Sequence, residues 1–300
     1  MEHPKYSIET IQKIDDGKIS SFIHQNTINL DRQVVDDFGE EWSKFNAFSE
    51  EEISKIGDDY FDIVPESLFT ETTKVIDIGC GSGRWSKYVA PKVGLIEAVD
   101  PSHAVLVARK MLSDNPNARV TQAEANNIPF ADNTFDLGFS LGVLHHIPDT
   151  QSALNSCVSK IKSGGHFLVY FYYRFDNRSI LFKALFQIIN LIRRIISILP
   201  GRIKKLLCDL IALLVYWPLS RFSSLVKILL GEKIASKIPL RYYADKSFNI
   251  LRNDALDRFG TRLEKRFTRV EITEMMQQAG LSDIVFSEKE PYWHAIGKKN

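Results

Sequence analysis

The residues best placed to do chemistry are three alternate glycines, Gly79, Gly81 and Gly83, and two acids, Asp77 and Asp100. The glycines lie between an apolar run and an amphipathic run, which predicts a turn from a buried strand into a helix. Glycine there lets a ligand approach the backbone and supplies positive φ. Asp100 ends the next predicted strand, where a carboxylate can accept hydrogen bonds from both hydroxyls of a ribose. The pattern favours a nucleotide-type site over a purely structural turn.

The details of the loop restrict which ligand it suits. The phosphate loop of ATPases requires Gly-Lys-Ser/Thr at its end, whereas Gly83 is followed by Arg84. The spacing Gly79-x-Gly81-x-Gly83 also differs from the G-x-G-x-x-G fingerprint of dinucleotide-binding proteins. Asp77 would repel a pyrophosphate but would attract a sulfonium or an amino group. The loop therefore favours a nucleoside-containing ligand that carries positive charge.

Short apolar runs alternate with amphipathic runs around this loop, which predicts βαβ units and a mostly parallel sheet. Strands are predicted over 75–79, 94–100, 119–122, 135–141, 166–172, 281–287 and 292–297. Helices are predicted over 33–45, 49–61, 84–90, 101–112, 149–161 and 268–279. Because ligands of such sheets bind at the carboxyl ends of the strands, the loop and Asp100 are expected to lie at one edge.

Composition excludes several classes of protein. The chain has 300 residues, 44% of them apolar, and a net charge of +1, which excludes a globally basic nucleic-acid binder. Three cysteines far apart in the chain predict no disulfide framework and no metal knuckle, and they favour a reducing compartment. Residues 1–14 contain no apolar run of signal-peptide length, so a cytoplasmic location is expected.

A segment of distinct composition interrupts this pattern. Residues 178–241 contain twelve Lys and Arg and two acids, a net charge of +10, and they are rich in Leu and Ile. Such a change predicts a separate module. We therefore expect an N-terminal helical cap over 1–70, a core formed by 71–177 and 242–300, and a helical insertion over 178–241.

The insertion has two interpretations that the sequence leaves open. Its apolar residues recur at helical spacing over 180–200, where three basic residues argue against a transmembrane span. The uncharged run between Asp209 and Pro218 is too short to cross a bilayer. The insertion is either an amphipathic element that contacts an anionic membrane surface, or a lid that packs over the sheet and the acceptor pocket.

The motifs resemble those of the class I S-adenosylmethionine-dependent methyltransferases. The resemblance rests on D-x-G-x-G-x-G at 77–83, on the acid that ends the second strand, and on NNIPFADNTFDLGFSLGVLHHIPD at 126–149. It is strongest toward the ubiquinone, menaquinone and small-molecule methyltransferases and covers about 72–172 well and 267–300 moderately. The resemblance implies an α/β fold with a doubly wound, Rossmann-like, seven-stranded sheet and S-adenosyl-L-methionine as cofactor.

Family positions transfer to this chain residue by residue. By resemblance the glycine loop wraps the methionine part of the cofactor, Asp100 binds the ribose, and Glu124, where many relatives have Asp, accepts from the adenine amino group. An aromatic pattern that includes Trp42 suggests an N-terminal segment that closes over the cofactor. The cofactor-binding residues so implied are Asp77, Gly79, Cys80, Gly81, Gly83, Asp100, Pro101, Ser102, Glu124, Ala125, Leu141 and Trp42.

Two adjacent histidines follow the fourth strand, near the methyl-donor centre of this family. His146 is the candidate general base for an acceptor, and the alternative is that His145 and His146 only pack there. The expected acceptor is a small molecule or a lipid-like compound: a quinone precursor, a lipid-linked sugar or a secondary metabolite. Two other functions stay open, a non-catalytic S-adenosylmethionine-binding module and a dinucleotide-dependent oxidoreductase. No nucleic-acid partner and no metal site are expected.

Overall fold

The computed structural model describes residues 1–24, 29–44, 49–175, 180–235, 238–289, 291 and 293–300. The chain forms two compact units, one from 1–176 with 263–300 and one from 177–262. The second unit therefore ends 21 residues beyond the predicted boundary at 241. The reason is that residues 248–260 form a helix that contributes Leu251, Ala255 and Phe259 to the apolar cluster of the second unit.

One mixed sheet forms the centre of the first unit. Its order is β1-β2-β5-β4-β3-β6-β7-β9-β8, with β1 and β9 antiparallel to their neighbours and a parallel run from β2 to β7. The strands are β1 Gln12–Ile14, β2 Ile19–Ser21, β3 Lys74–Ile78, β4 Leu95–Asp100, β5 Ala118–Gln122, β6 Phe135–Leu141, β7 Ile161–Tyr170, β8 Leu281–Phe286 and β9 His294–Lys299.

The described residues thus contain nine strands where seven were predicted, and the N-terminal segment is only partly helical. Strand β2 extends the sheet by pairing with β5, and the Ser21 hydroxyl donates to Gln122 Oε1 at 2.7 Å. Phe22 follows this strand and is fully buried. Strands of three residues are too short to display the alternation of polarity from which strands are predicted, so the sequence pattern missed them.

Helices connect the strands close to the predicted positions. Asp149 caps the helix after β6 by accepting from the Ser152 N–H at 3.0 Å, and Thr268 with Glu271 forms the predicted capping box. The helices are α1 Arg32–Lys44, α2 Glu50–Tyr60, α3 Arg84–Val89, α4 Val105–Met111, α5 Thr150–Ser159, α6 Ile180–Ser197, α7 Gly201–Ile211, α8 Trp217–Leu230, α9 Glu232–Ala235, α10 Phe248–Gly260 and α11 Arg269–Gln278.

The central strands of the sheet are buried on both faces. Every residue of β4 is buried, and so is every residue of β3 except Lys74. Helices on both sides of a parallel sheet produce this pattern, which leaves the ends of the strands as the place where polar side chains can meet a ligand.

The second unit contains helices α6 to α10. Helices α7 and α8 join through a π-helical segment, Ala212–Tyr216, into one helix from Gly201 to Leu230. The π segment ends two residues before Pro218, which lacks an N–H for the regular ladder. The apolar helix therefore continues past Pro218. The expectation that this segment is too short to cross a bilayer is wrong, because the helix Gly201–Leu230 has 30 residues.

Candidate functional site

Three glycines at the end of β3 adopt left-handed backbone conformations. Their φ angles are +80° at Gly79, +53° at Gly81 and +82° at Gly83, which other residues rarely adopt. A Cβ atom built on Gly79 would lie 2.4 Å from a methyl group of Val143. Glycine is therefore required at this turn for conformation and for space.

Asp77 is the penultimate residue of β3, two residues before the first glycine of this loop. It is 1% exposed, and it accepts a hydrogen bond from the Ser86 hydroxyl at 2.6 Å. Burial raises the pKa of Asp77 to about 7, because desolvation of the carboxylate outweighs the hydrogen bond from Ser86. A positive charge beside Asp77 would restore the ionised form.

Asp100 connects the end of β4 to the glycine loop. Its Oδ2 atom accepts from the Gly81 N–H at 2.9 Å. Its Oδ1 atom accepts from the Ser102 N–H at 2.8 Å and from the Ser102 hydroxyl at 2.6 Å. Burial raises the pKa of Asp100, opposed by these hydrogen bonds. Oδ1 therefore already accepts two hydrogen bonds, whereas Oδ2 accepts one and has a second lone pair for a ligand. Asp100 thus positions the loop and can still accept a hydrogen bond from a ligand through Oδ2.

Glu124 and Ala125 follow β5, beside Asp100, since Asp100 pairs with Gln122 in the sheet. Glu124 is 6% exposed, and its buried Oε1 atom lacks a hydrogen-bond partner within the described ranges. Burial raises its pKa, while His24 and Arg32 act in the opposite direction. An unsatisfied buried acceptor is costly, so this oxygen suits a ligand that donates a hydrogen bond, such as an exocyclic amine.

Pro101 and Ser102 start the segment that leads from β4 to α4. The Gln122 side chain donates to the Pro101 carbonyl at 3.2 Å and lies 3.4 Å from that of Ser102. These bonds hold the segment against Gln122 at the end of β5.

The N-terminal helix α1 reaches the glycine loop through Trp42. The indole Nε1 lies 3.3 Å from the position that a Cβ atom on Gly81 would occupy. The Arg84 guanidinium lies 4.7 Å from the centre of the Trp42 ring and 4.5 Å from that of Trp85. Phe45 and Phe48, which belong to the same predicted aromatic pattern, lie outside the described residues.

Two residues of the predicted set have mainly structural surroundings. Cys80 is 4% exposed and packs in an apolar cluster with Val105 and Ala108, and burial raises the pKa of its thiol well above the usual range. Leu141 ends β6, where it is 8% exposed and pairs with Tyr170 of β7. The backbone of Cys80 belongs to the loop, whereas its side chain supports the loop from the core.

The two histidines lie in a short 3₁₀ turn after β6 and differ in their surroundings. His146 Nδ1 lies 2.7 Å from the Leu263 carbonyl, which only accepts, so Nδ1 carries the proton and Nε2 is the basic nitrogen of the neutral ring. His145 is fully buried, and its ring lies 4.1 Å from that of Tyr172. Burial holds the pKa of His145 well below its usual value.

An aromatic wall that the sequence analysis missed lies next to these histidines. The rings of Tyr60 and Tyr170 are 5.2 Å apart, and those of Tyr170 and Tyr172 are 5.9 Å apart. The Arg266 guanidinium lies 5.2 Å from the Tyr172 ring and pairs with Glu264 at 2.8 Å. The signal in the sequence was the aromatic run at 170–173 at the end of the fifth predicted strand.

The structure thus brings most of the predicted residues to the carboxyl edge of β3, β4, β5 and β6. These strands are neighbours in the sheet and run parallel, so their ends meet at one edge. The glycine cradle, the carboxylates of Asp77 and Asp100 and the unsatisfied oxygen of Glu124 fit a nucleoside that carries an amine and a positive charge. The described residues contain no group of three His, Cys, Asp or Glu arranged to hold a metal ion.

Comparison with known proteins agrees with this geometry. Residues 76–169 match the family model described as a methyltransferase domain. The matched range starts in β3 and ends in β7, so it contains the glycine loop, Asp100, Glu124 and both histidines. The prediction of a class I S-adenosylmethionine-dependent methyltransferase domain is thereby confirmed for this range, as is the mostly parallel α/β fold.

Individual relatives match about a third of this chain. The chain is 28% identical to a ubiquinone biosynthesis O-methyltransferase from Alkalilimnicola ehrlichii over 32% of this chain and 40% of the relative. It is 34% identical to a demethylmenaquinone methyltransferase from Staphylococcus aureus over 31% of this chain and 40% of the relative. The chain thus spans about two fifths of the length of these relatives.

Among solved structures, a putative O-methyltransferase from Nostoc punctiforme aligns with 86% of this chain and 60% of its own, with 14% identity and a TM-score of 0.49.

Proposed function

We propose that the protein is an S-adenosylmethionine-dependent methyltransferase that acts on a small-molecule or lipid-like acceptor. The observation that carries the proposal is the edge of the sheet at which a left-handed glycine cradle, two buried carboxylates and an unsatisfied buried acceptor lie together. The buried carboxylates and the unsatisfied Glu124 oxygen are costly without a ligand, and a ligand that donates hydrogen bonds and carries positive charge would offset that cost. The glycine cradle leaves room for such a ligand to approach the backbone.

The cofactor is held by the predicted residues in three zones. Gly79, Gly81 and Gly83 accept its methionine part, with Asp77 opposite the positive charge. Asp100 accepts from the ribose hydroxyls, and Trp42 covers this region from helix α1. At the end of β5, Glu124 would accept from the adenine amino group and Ala125 would offer its N–H to the ring, with Pro101 and Ser102 as further adenine-binding residues.

When bound, the cofactor would supply an electrophilic methyl group attached to its sulfonium. The chain positions the acceptor and excludes water, which accounts for much of the rate enhancement in such transfers. Leu141 and the wall formed by Tyr60, Tyr170 and Tyr172 supply apolar surface for an acceptor. Aromatic rings favour a flat or apolar acceptor over a free sugar, and a quinone precursor meets this requirement.

His146 is the proposed general base. Its hydrogen bond to the Leu263 carbonyl fixes the tautomer in which Nε2 accepts a proton from the acceptor. His145 is a positioning residue, because burial keeps its ring neutral and its ring packs against both His146 and Tyr172. The cytoplasmic location and the peripheral contact with an anionic membrane form part of the same proposal.

Cofactor binding and turnover test the proposal separately. Calorimetry is expected to detect binding of S-adenosylmethionine and of S-adenosylhomocysteine but no binding of NAD. Binding of NAD instead would favour the oxidoreductase alternative. Incubation with methyl-labelled cofactor and cell extract is expected to place label in the organic phase. Tight cofactor binding without label in either phase would favour the non-catalytic binding module.

A further inference from the structure

The long helix of the second unit, Gly201–Leu230, has large apolar side chains on its outer face. Ile228 is 79% exposed, Leu229 69% and Leu214 67%. The exposed large apolar residues of this helix are Ile203, Leu206, Leu210, Leu213, Leu214, Val215, Trp217, Phe222, Leu225, Ile228, Leu229 and Leu230. A helix in water places such residues toward the core, so this arrangement is the reverse of a soluble amphipathic helix.

The buried face of the same helix has many small and polar residues beside Tyr216 and Val226. Cys208, Ala212 and Tyr216 recur every four residues, are nearly fully buried and pack with Tyr243 and Leu251. The buried polar residues of this helix are Lys204, Ser220 and Ser223. Most Leu and Ile residues of this helix are thus exposed, although its buried face could have contained them.

Helix α6 adds to the exposed apolar surface. Its side chains Ile188, Leu191 and Ile195 are 55–61% exposed, and Ile198 after its end is 69% exposed. Contiguous apolar surface of this extent marks an interaction site rather than ordinary scatter of single residues. We call the exposed apolar residues of 188–198 and 203–230 the apolar surface.

Charge indicates what covers this surface. The net charge of +10 over 178–241 suits an anionic partner and opposes association with a second copy, which would bring the same charge. Two basic side chains of the long helix have polar partners within the unit: Arg221 donates to the Ala244 and Lys246 carbonyls, and Lys227 pairs with Glu232. Arg194 lies between the exposed Ile192 and Ile195 of α6, Arg202 directly precedes Ile203, and both arginines are exposed.

Apolar surface bordered by basic residues is complementary to a bilayer with anionic headgroups. The helix Gly201–Leu230 is long and apolar enough to cross a bilayer by length and composition, and most of its apolar stretch is not buried. However, α10 packs against α7 and is tied to it by Arg252, which donates both Nε and Nη2 to Asp209 at 2.9 and 2.8 Å. Crossing would take this pair and the Asp254–Arg258 pair into hydrocarbon, which is expensive.

We propose that the second unit inserts its apolar surface into one leaflet of an anionic bilayer, with the helix Gly201–Leu230 lying in the membrane plane. This inference deepens the proposed function, on which it rests only for the lipid-like acceptor, since a membrane-bound enzyme reaches such a compound in the bilayer itself. Insertion supplies the apolar environment that the outer face lacks in water.

Vesicle flotation tests the attachment. The full-length protein is expected to float with vesicles of phosphatidylglycerol and phosphatidylcholine, to float less with phosphatidylcholine alone, and to remain partly bound at high salt because insertion is not screened. Leu214→Ser and Ile228→Ser are each expected to lower the partition coefficient about tenfold. Val270→Ser is the matched control, because Val270 is 65% exposed on α11 of the first unit and is expected to leave partitioning unchanged.

Depth measurements test the in-plane orientation. The native cysteines Cys80, Cys157 and Cys208 are buried, so Ile203→Cys, Leu214→Cys and Ile228→Cys provide sites for a fluorescent label. The ends of this set are about 37 Å apart along the helix. Lipids brominated at different depths are expected to quench all three labels at one common depth, whereas three different depths would overturn the in-plane arrangement.

Two further results would overturn the proposal itself. One is a protein that stays unbound with anionic vesicles at low salt. The other is a stable dimer in vesicle-free buffer that Leu214→Ser dissociates, because a second copy would then cover the apolar surface. Calorimetry with S-adenosylmethionine in vesicle-free buffer distinguishes failure of the membrane inference from failure of the proposed function.

Discussion

The two units of this chain distribute polarity in opposite ways. The sheet unit buries its apolar residues in β3 and β4 and concentrates polar groups at one edge of the sheet. The helical unit buries Lys204, Ser220 and Ser223 while it exposes Leu and Ile. Since burial of apolar surface dominates folding in water, the first pattern is that of a soluble domain and the second suits an apolar environment. This difference is consistent with our proposals, which place the chemistry in the sheet unit and membrane attachment in the helical unit.

The largest expected effect is the loss of methyl transfer on replacement of His146, which should leave membrane attachment unchanged. His146→Gln keeps a donor for the Leu263 carbonyl but removes the base, so the rate of methyl transfer is expected to fall ~100- to 10,000-fold. Cofactor affinity and vesicle flotation are expected to stay the same, and the pH dependence of the residual rate is expected to flatten. His166→Gln on β7 is the control. A rate within twofold of wild type would remove His146 from the reaction.

Replacing one glycine tests whether the sheet unit depends on its cradle. Gly79→Ala and Gly164→Ala both place a side chain at φ +80°, which costs about 1–2 kcal/mol in each case. Gly79→Ala also forces its new methyl group against Val143, which costs about 1–3 kcal/mol more. Gly164→Ala has no such additional cost, because no atom lies within 4 Å of a Cβ on Gly164.

The measurements are urea unfolding for stability and calorimetry for S-adenosylmethionine. Loss of cofactor binding is expected for Gly79→Ala but not for Gly164→Ala. Equal losses in both variants would mean that the cradle has no special role in binding.

Asp100→Ala is expected to weaken cofactor binding by about 1–3 kcal/mol, because it removes the acceptor for the ribose and for the Gly81 N–H. Asp136→Ala provides the control, since Asp136 accepts from the Lys74 N–H at the opposite end of β3. Calorimetry measures both, and flotation of both variants is expected to match wild type. Unchanged affinity in Asp100→Ala would place the ribose elsewhere.

A further expected effect is a pH dependence due to Asp77. Its pKa is about 7 in the folded chain without cofactor and near 3.8 when unfolded, so between these values the folded state binds more protons. The contribution of Asp77 to stability is therefore greatest below pH 4 and declines as pH rises through 7. Binding of the positively charged cofactor favours the ionised form and is expected to strengthen over the same range.

Urea unfolding and calorimetry at pH 5, 6, 7 and 8 measure this dependence. Asp77→Asn is expected to flatten both profiles, and Asp136→Asn is the control. Profiles of the same slope in wild type and Asp77→Asn would assign the pH dependence to other groups.

The sequence predicted best where short-range signals were strong. The Asp149 cap, the Thr268–Glu271 capping box and strand β6 were placed correctly because each depends on residues close in the chain. Strands β1 and β2 were missed because three residues carry no periodicity, and they exist because β5 offers an edge for pairing. The helix past Pro218 was missed because proline normally breaks helices, and here a π-helical segment precedes it.

What the sequence determined by itself is the local unit of strand, glycine turn, helix and distal acid, because the spacing of Asp77, the glycines and Asp100 fixes which of them meet at one edge. Only the tertiary structure decided the tautomer of His146, since Leu263 is 117 residues away. The tertiary structure also decided which face of the helix Gly201–Leu230 is buried. Periodicity defines an apolar face, but whether that face points inward depends on the helices that pack against it, and here they occupy the face of small and polar residues.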